Sequence, residues 1–396
     1  MLRSTVIGLL ITLLAVACSS SAADSVPLET NEESSVSVQD DAPVDEAAVE
    51  VVAVELGDFA NAPDMKARRE RFAALGLSDG RVLAVGGRGL GIGTLIGTMH
   101  ETAELLNPET LEWTMTGVMA EGRRSPAMVE LEDGRVLVAG GLLPTKFTTQ
   151  TAEIWDPAEG AWTTVAPMLR TRDGMGAVRL PDGRVMVVGG KMDAKLVGTL
   201  DQSEIYDVDA DTWAEAAPMS EKRINHTVTL LLDGRALVTG GGKEDPPFSK
   251  TAETYDPGTD TWTTVAPMTV SRSFHTATLL EDGRVLVVGG RGKRLLAELY
   301  DPVTDVWSSA GETAEPRAEH RALLLLDGRV LVTGGIGSLT VSEIYDPATN
   351  EWSTSSPLEI GRYRHNTVLL SDGRVVTFGG IGADGILASS EVLGSR

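Results

Sequence analysis

The sequence predicts an all-β protein, a seven-bladed β-propeller whose ring is closed by an N-terminal strand completing the last blade. Three recurring features predict it. Asp-Gly-Arg occurs seven times, at Asp79, Asp133, Asp182, Asp233, Asp282, Asp327 and Asp372, and Gly-Gly follows seven residues after every Asp. Six tryptophans, Trp113, Trp162, Trp213, Trp262, Trp307 and Trp352, each stand ten residues before an arginine, which stands ten before the next Asp-Gly. A self-similar period lets one closed structure fill 396 residues that would otherwise suggest two or three domains.

Each Asp-Gly lies between two apolar runs, such as residues 276–280 and 285–288, so a two-residue turn joins a hairpin. After Gly-Gly come a loop, a glutamate and a β-rich segment such as Glu298-Leu299-Tyr300-Asp301-Pro302. Asp-Pro turns the chain into a fourth strand, which carries the tryptophan nine residues beyond the glutamate. The unit is therefore four strands over 45 to 54 residues, the size of a propeller blade. The inner runs are apolar on both faces, as blades sandwiched between neighbours require. Gly-Gly permits backbone conformations and close approach that a side chain would block.

Seven hairpins but only six tryptophans at the repeat spacing leave one blade short. The last copy ends at Glu391-Val392-Leu393-Gly394, after its third strand, while Phe59 stands ten residues before Arg69, where a tryptophan would be. Residues 51–61 are therefore expected to supply the missing outer strand, joining the two ends of the chain and removing an exposed edge. Arg-x-x-His, Gly-Gly, Tyr-Asp-Pro and the spaced tryptophan together resemble the kelch repeat, and the resemblance covers residues 51–396.

Ahead of the repeats, residues 1–17 read as a signal peptide: Arg3, then a short apolar stretch over residues 6–17, too short to span a bilayer. Leu14-Ala15-Val16-Ala17-Cys18 resembles the bacterial lipobox, which implies that Cys18, the only cysteine, becomes the lipidated N-terminus. Ala-x-Ala before the cysteine also fits an ordinary secretory cleavage. Residues 18–50 then form an acidic tether without Lys or Arg, too polar to offset its own ordering entropy. This arrangement predicts a protein held at a bacterial membrane by its lipid alone and facing outside the cytoplasm, in the periplasm or at the cell surface.

A formal charge of −23 argues against nucleic acid as a partner. Length differences between repeats fall in the loop between Gly-Gly and glutamate, and residues that break the repeat symmetry are the better binding candidates. Three consecutive loops are basic: Lys191 and Lys195, Lys243 and Lys250, then Arg291, Lys293 and Arg294. With the recurring arginines Arg172, Arg223, Arg272, Arg317 and Arg362 they are expected to form a positive patch facing an anionic ligand, although Asp193, Asp201, Glu244 and Asp245 lie among them.

No cofactor or metal is expected. His226, His275, His320 and His365 share one repeat position, three residues after the arginine, and read as scaffold; His100, alone in the longest loop, reads as solvated. Asp207, Asp209 and Asp211 have Thr212 where a calcium loop would want glycine. Kelch propellers include galactose oxidase, whose copper chemistry needs a tyrosine crosslinked to a cysteine that this chain does not offer. They also include a sialic acid mutarotase, whose arginine and acid could be imitated by the arginine ring with Glu121, Glu315 or Glu319. The expected function is a monomeric binding platform for an envelope or extracellular protein, peptide or polysaccharide; the alternative is a carbohydrate-active enzyme of mutarotase or epimerase type.

Overall fold

The computed structural model describes residues 56–90, 97–193, 198–243, 247–293 and 295–395. Cys18, Lys195 and Arg294 lie outside them, as do residues 1–55. Seven four-stranded antiparallel sheets follow one another along the chain. In the fifth, Thr276–Leu279, Val285–Val288, Leu296–Asp301 and Val306–Glu312 run in order from the inside outwards.

The second strand of every blade is buried along its whole length, because both of its faces meet another blade. Val285 and Val287 of blade five pack on Leu231, Leu237 and Met268 from blade four, and seven such clusters fill the gaps around the ring. Each fully buried valine or leucine contributes roughly 1.5–3 kcal/mol. Tryptophans stitch these layers together: Trp213, Trp262 and Trp307 donate from Nε1 to Ala166, Ala217 and Ala266 of the preceding blade at 2.7–2.8 Å. The Asp-Gly-Arg turns do the same at the other end. Asp282 accepts from the Arg284 backbone and side chain, while Arg284 Nη2 reaches the Pro347 carbonyl of the next blade at 3.3 Å.

Gly-Gly carries the third stitch. The N–H of each second glycine donates to the carbonyl of the next blade's recurring arginine, for instance Gly290 to Arg317 at 2.9 Å. The last of these bonds runs from Gly380 to Arg69 at 2.8 Å, linking blade seven to blade one. Gly380 sits at φ +92°, and a Cβ there would lie 2.6 Å from the Tyr363 carbonyl, so only glycine fits. The outer strand of the seventh sheet is Leu56–Ala62, paired antiparallel with Ser390–Ser395. Phe59 is buried there against Leu325, Leu331, Leu358 and Leu393, filling the place of a tryptophan.

Candidate functional site at the channel mouth

The recurring arginines turn inward. Arg69, Arg123, Arg172, Arg223, Arg272, Arg317 and Arg362 are fully buried, each paired with the third-strand glutamate of its own blade. Arg223 shows the pattern: Nη2 donates to Glu253 Oε1 at 2.9 Å, and Nη1 to the Gly240 carbonyl at 2.8 Å. Glu253 Oε2 accepts the Ser220 N–H at 2.7 Å, so carboxylate and guanidinium together clamp three chain segments. This corrects the expectation for Arg172, Arg223, Arg272, Arg317 and Arg362. Their charges are matched inside the blade, and they have no exposed surface to offer an anionic ligand.

Two residues further on, the chain passes through the left-handed region in every blade. Arg71, Ser125, Gly174, Asn225, Phe274, Glu319 and Arg364 have φ between +49° and +66°. For a non-glycine residue this costs about 1–2 kcal/mol, and for a bulky one such as Phe274 it is rare. The strain is held by bonds between neighbouring blades: Ser125 N–H to the Arg71 carbonyl at 2.7 Å, Phe274 to Asn225 at 3.1 Å, Glu319 to Phe274 and Arg364 to Glu319 at 3.0 Å. All seven residues line one hollow of about 400 Å³. A hollow touched by every blade lies on the ring axis, so this is the mouth of the channel.

Its charges are concentrated on one side. Glu319, 3% exposed, accepts from Arg291 Nη2 at 2.8 Å and from Arg364 Nε. Arg364 also approaches the buried Glu70 at 3.5 Å, which Arg88 meets at 2.8 Å and Arg71 at 3.7 Å. The Arg291 guanidinium lies 4.6 Å from the Phe274 ring centre, a cation–π contact. Burial alone would raise the Glu319 carboxyl, but Arg364, then Arg71 and Arg291, outweigh it and hold it below the usual carboxylate range. Asp173 behaves oppositely: burial pushes it up, and Arg124, Arg71 and Lys191 only partly offset this.

The strand entrances pair with the residues that follow Gly-Gly, Glu70 with Arg88, Asp173 with Lys191 and Ser273 with Arg291 among them. The variable loops therefore rise at the same end of each blade as the mouth. Of the expected ligand-binding loop cations that are described, only Arg291 joins the charged cluster directly. Lys191 is exposed beside Asp173, and Lys243, Lys250 and Lys293 are exposed away from the hollow. His100 is buried, contrary to expectation, with Nε2 2.9 Å from the Arg68 carbonyl. Arg71, Arg124, Arg321, Arg364 and Phe274 were not anticipated. The signal for several of them was present, because the second residue after the recurring arginine differs in almost every blade.

Residues 174–380 match the family model of the KLHDC2/KLHL20/DRC7 kelch-repeats domain. The chain belongs to this kelch-repeat family. The match runs from the first strand of blade three to the Gly-Gly of blade seven; Phe72 and Pro126, ahead of it, and Met175, at its start, stand where the later blades carry histidine. No curated protein sequence matches the chain. Among solved structures, a fungal alcohol oxidase of the AA5 family in complex with copper is similar, with a TM-score of 0.67 and 17% identity over 86% of this chain and 76% of the oxidase. At that identity the likeness is one of fold. The kelch propeller's own donors do not suit copper: His275, His320 and His365 turn Nε2 to the hydroxyls of Thr239, Thr276 and Thr333, and no group of three His, Cys, Asp or Glu side chains could hold a metal among the described residues.

Proposed function

We propose that this kelch propeller is an exported, lipid-anchored binding platform that holds the anionic part of its partner at the channel mouth. The observation that carries the reading is that Arg71, Arg321 and Arg364 line one hollow, with Arg291 bonded to its Glu319, in a chain whose formal charge is −23. Guanidinium groups in a concave, partly desolvated site attract and orient carboxylate or phosphate far better than cations on an open surface. Kelch propellers are protein-interaction scaffolds, and the loops around the mouth give such a scaffold its variable surface.

Arg71 is the informative residue to change, since its nearest carboxylate is 3.7 Å away and its loss breaks no close pair. Arg71→Gln is expected to weaken retention of an acidic polymer by the intact protein about tenfold, whereas the double change Lys243→Ala, Lys250→Ala leaves it within a factor of two. The opposite ranking, in an affinity titration at fixed ionic strength, would return the site to the outer loops. Anchoring is tested separately. Cys18→Ser is expected to abolish incorporation of labelled palmitate and to move the protein from the membrane to the soluble fraction; continued labelling would refute the anchor.

A further inference from the structure

Four residues beyond each buried arginine, on the innermost strand, the blades carry Ala73, Ala127, Gly176, Thr227, Thr276, Arg321 and Asn366. Five of these positions carry small side chains; Ala73, Arg321 and Asn366 line the hollow, and Arg321 is the one cation among the seven. It is held in place rather than neutralised. Arg321 Nε donates to Asn366 Oδ1 at 3.0 Å, and Asn366 Nδ2 donates to the Phe72 carbonyl at 3.1 Å, so the amide is pinned from both ends. Beyond that, the guanidinium has only a 3.5 Å contact from Nη1 to the His320 carbonyl. Among the described residues no carboxylate lies within 4.0 Å of it, in contrast to the seven clamp arginines. Burial pulls its pKa down, with only Glu319 opposing from a distance.

Arg321 is half-buried, and a partly desolvated cation without a close counter-charge gains little for the fold, so its retention needs a reason outside the fold. The rest of the lining supplies one. Ser125 and Asn225 offer uncharged hydrogen-bonding groups, Phe274 an aromatic face, and Glu319 a carboxylate that accepts from hydroxyls but repels a second acid. A hollow of about 400 Å³ is in the size range of small-ligand sites. We propose that the throat around Arg321 binds an acidic monosaccharide unit, with its carboxylate on Arg321 and its hydroxyls and apolar ring face on Ser125, Asn225, Glu319 and Phe274. This rests on the anionic reading of the mouth and names the ligand class within it. A free uronic acid and the end of a uronic acid polymer share this chemistry.

Calorimetric titration of the intact protein with D-galacturonate, an oligogalacturonate, galactose and an acidic peptide separates the outcomes. Binding of galacturonate but not galactose, weakened about 10- to 100-fold by Arg321→Gln, is the expected result. Stronger binding of the oligomer would identify the chain end as the source, equal binding the free sugar. The thermal midpoint of Arg321→Gln is expected to equal or exceed that of the parent, because a half-buried charge without a close partner has been removed; a fall would mark Arg321 as structural and overturn the assignment. If the acidic peptide binds and Arg321→Gln leaves its affinity unchanged, the throat proposal fails while the anionic mouth stands. If neither uronate nor peptide binds, both fail.

Discussion

Arg223→Met, with Glu253 left in place, is expected to destabilise the propeller by about 3–5 kcal/mol, the range for breaking a buried ion pair from one side. The substitution strands a carboxylate that is 1% exposed in the pair, takes the donor from the Gly240 carbonyl and leaves the Thr251 carbonyl with the Gly240 N–H alone. Most of that loss comes from the orphaned charge rather than from the missing attraction. Adding Glu253→Gln removes the charge yet keeps an oxygen for the Ser220 N–H, so the double variant is expected to recover at least half of the loss. Denaturant midpoints with unchanged slope provide the measurement. A single variant within about 1 kcal/mol of the parent would show that the clamp does not organise the blade.

The second large effect is with pH. All five histidines are buried, and burial, aided by neighbouring arginines, holds them neutral. His100 is lowered to about 4 and His226 to about 3, while His275, His320 and His365 lie well below their ordinary value. In the unfolded chain these rings take up protons near pH 6.5, but in the native ring they do not. Their contribution is therefore complete above about pH 7 and is lost as pH falls from about 6.5 towards 4. Each histidine contributes up to about 1.4 kcal/mol per pH unit in that window. The thermal midpoint should be flat from pH 8 to 7 and fall steeply between 6.5 and 5, before most carboxylates titrate. Replacing His275 and His320 by asparagine should remove close to two protons from the slope; a flat midpoint down to pH 5 would contradict the neutral-histidine assignment.

The blades were legible because their determinants are local and repeated. Asp-Gly, Gly-Gly and Asp-Pro act through the backbone of the residues that carry them, and the repeats agree on where the strands lie. Phe59 was legible as the substitute for a missing tryptophan by counting. The direction of a side chain is a different kind of information. Arg223 recurs at a fixed interval whether it points at solvent or at Glu253, and only the matching recurrence of a glutamate in every third strand hinted that the two charges meet. Arg321 was hidden for a related reason. In the sequence it is one polar residue at the start of an apolar run, and its meaning depends on Asn366 and Phe72, which lie far away in the chain and hold it at the hollow.

The pairing of Leu56–Ala62 with Ser390–Ser395 also bears on the order in which the molecule can be made. The first strand synthesised has no partner until the last one has emerged, and the Phe59 N–H waits for a hydroxyl, that of Ser356, 297 residues later. Blades one to six can form as they appear, but the seam between first and last stays open, with an unpaired edge, until the last strand has been synthesised. Until then the ring cannot lock, whatever order the middle blades form in. Once locked, neither end can be pulled free without tearing a strand from the seventh blade.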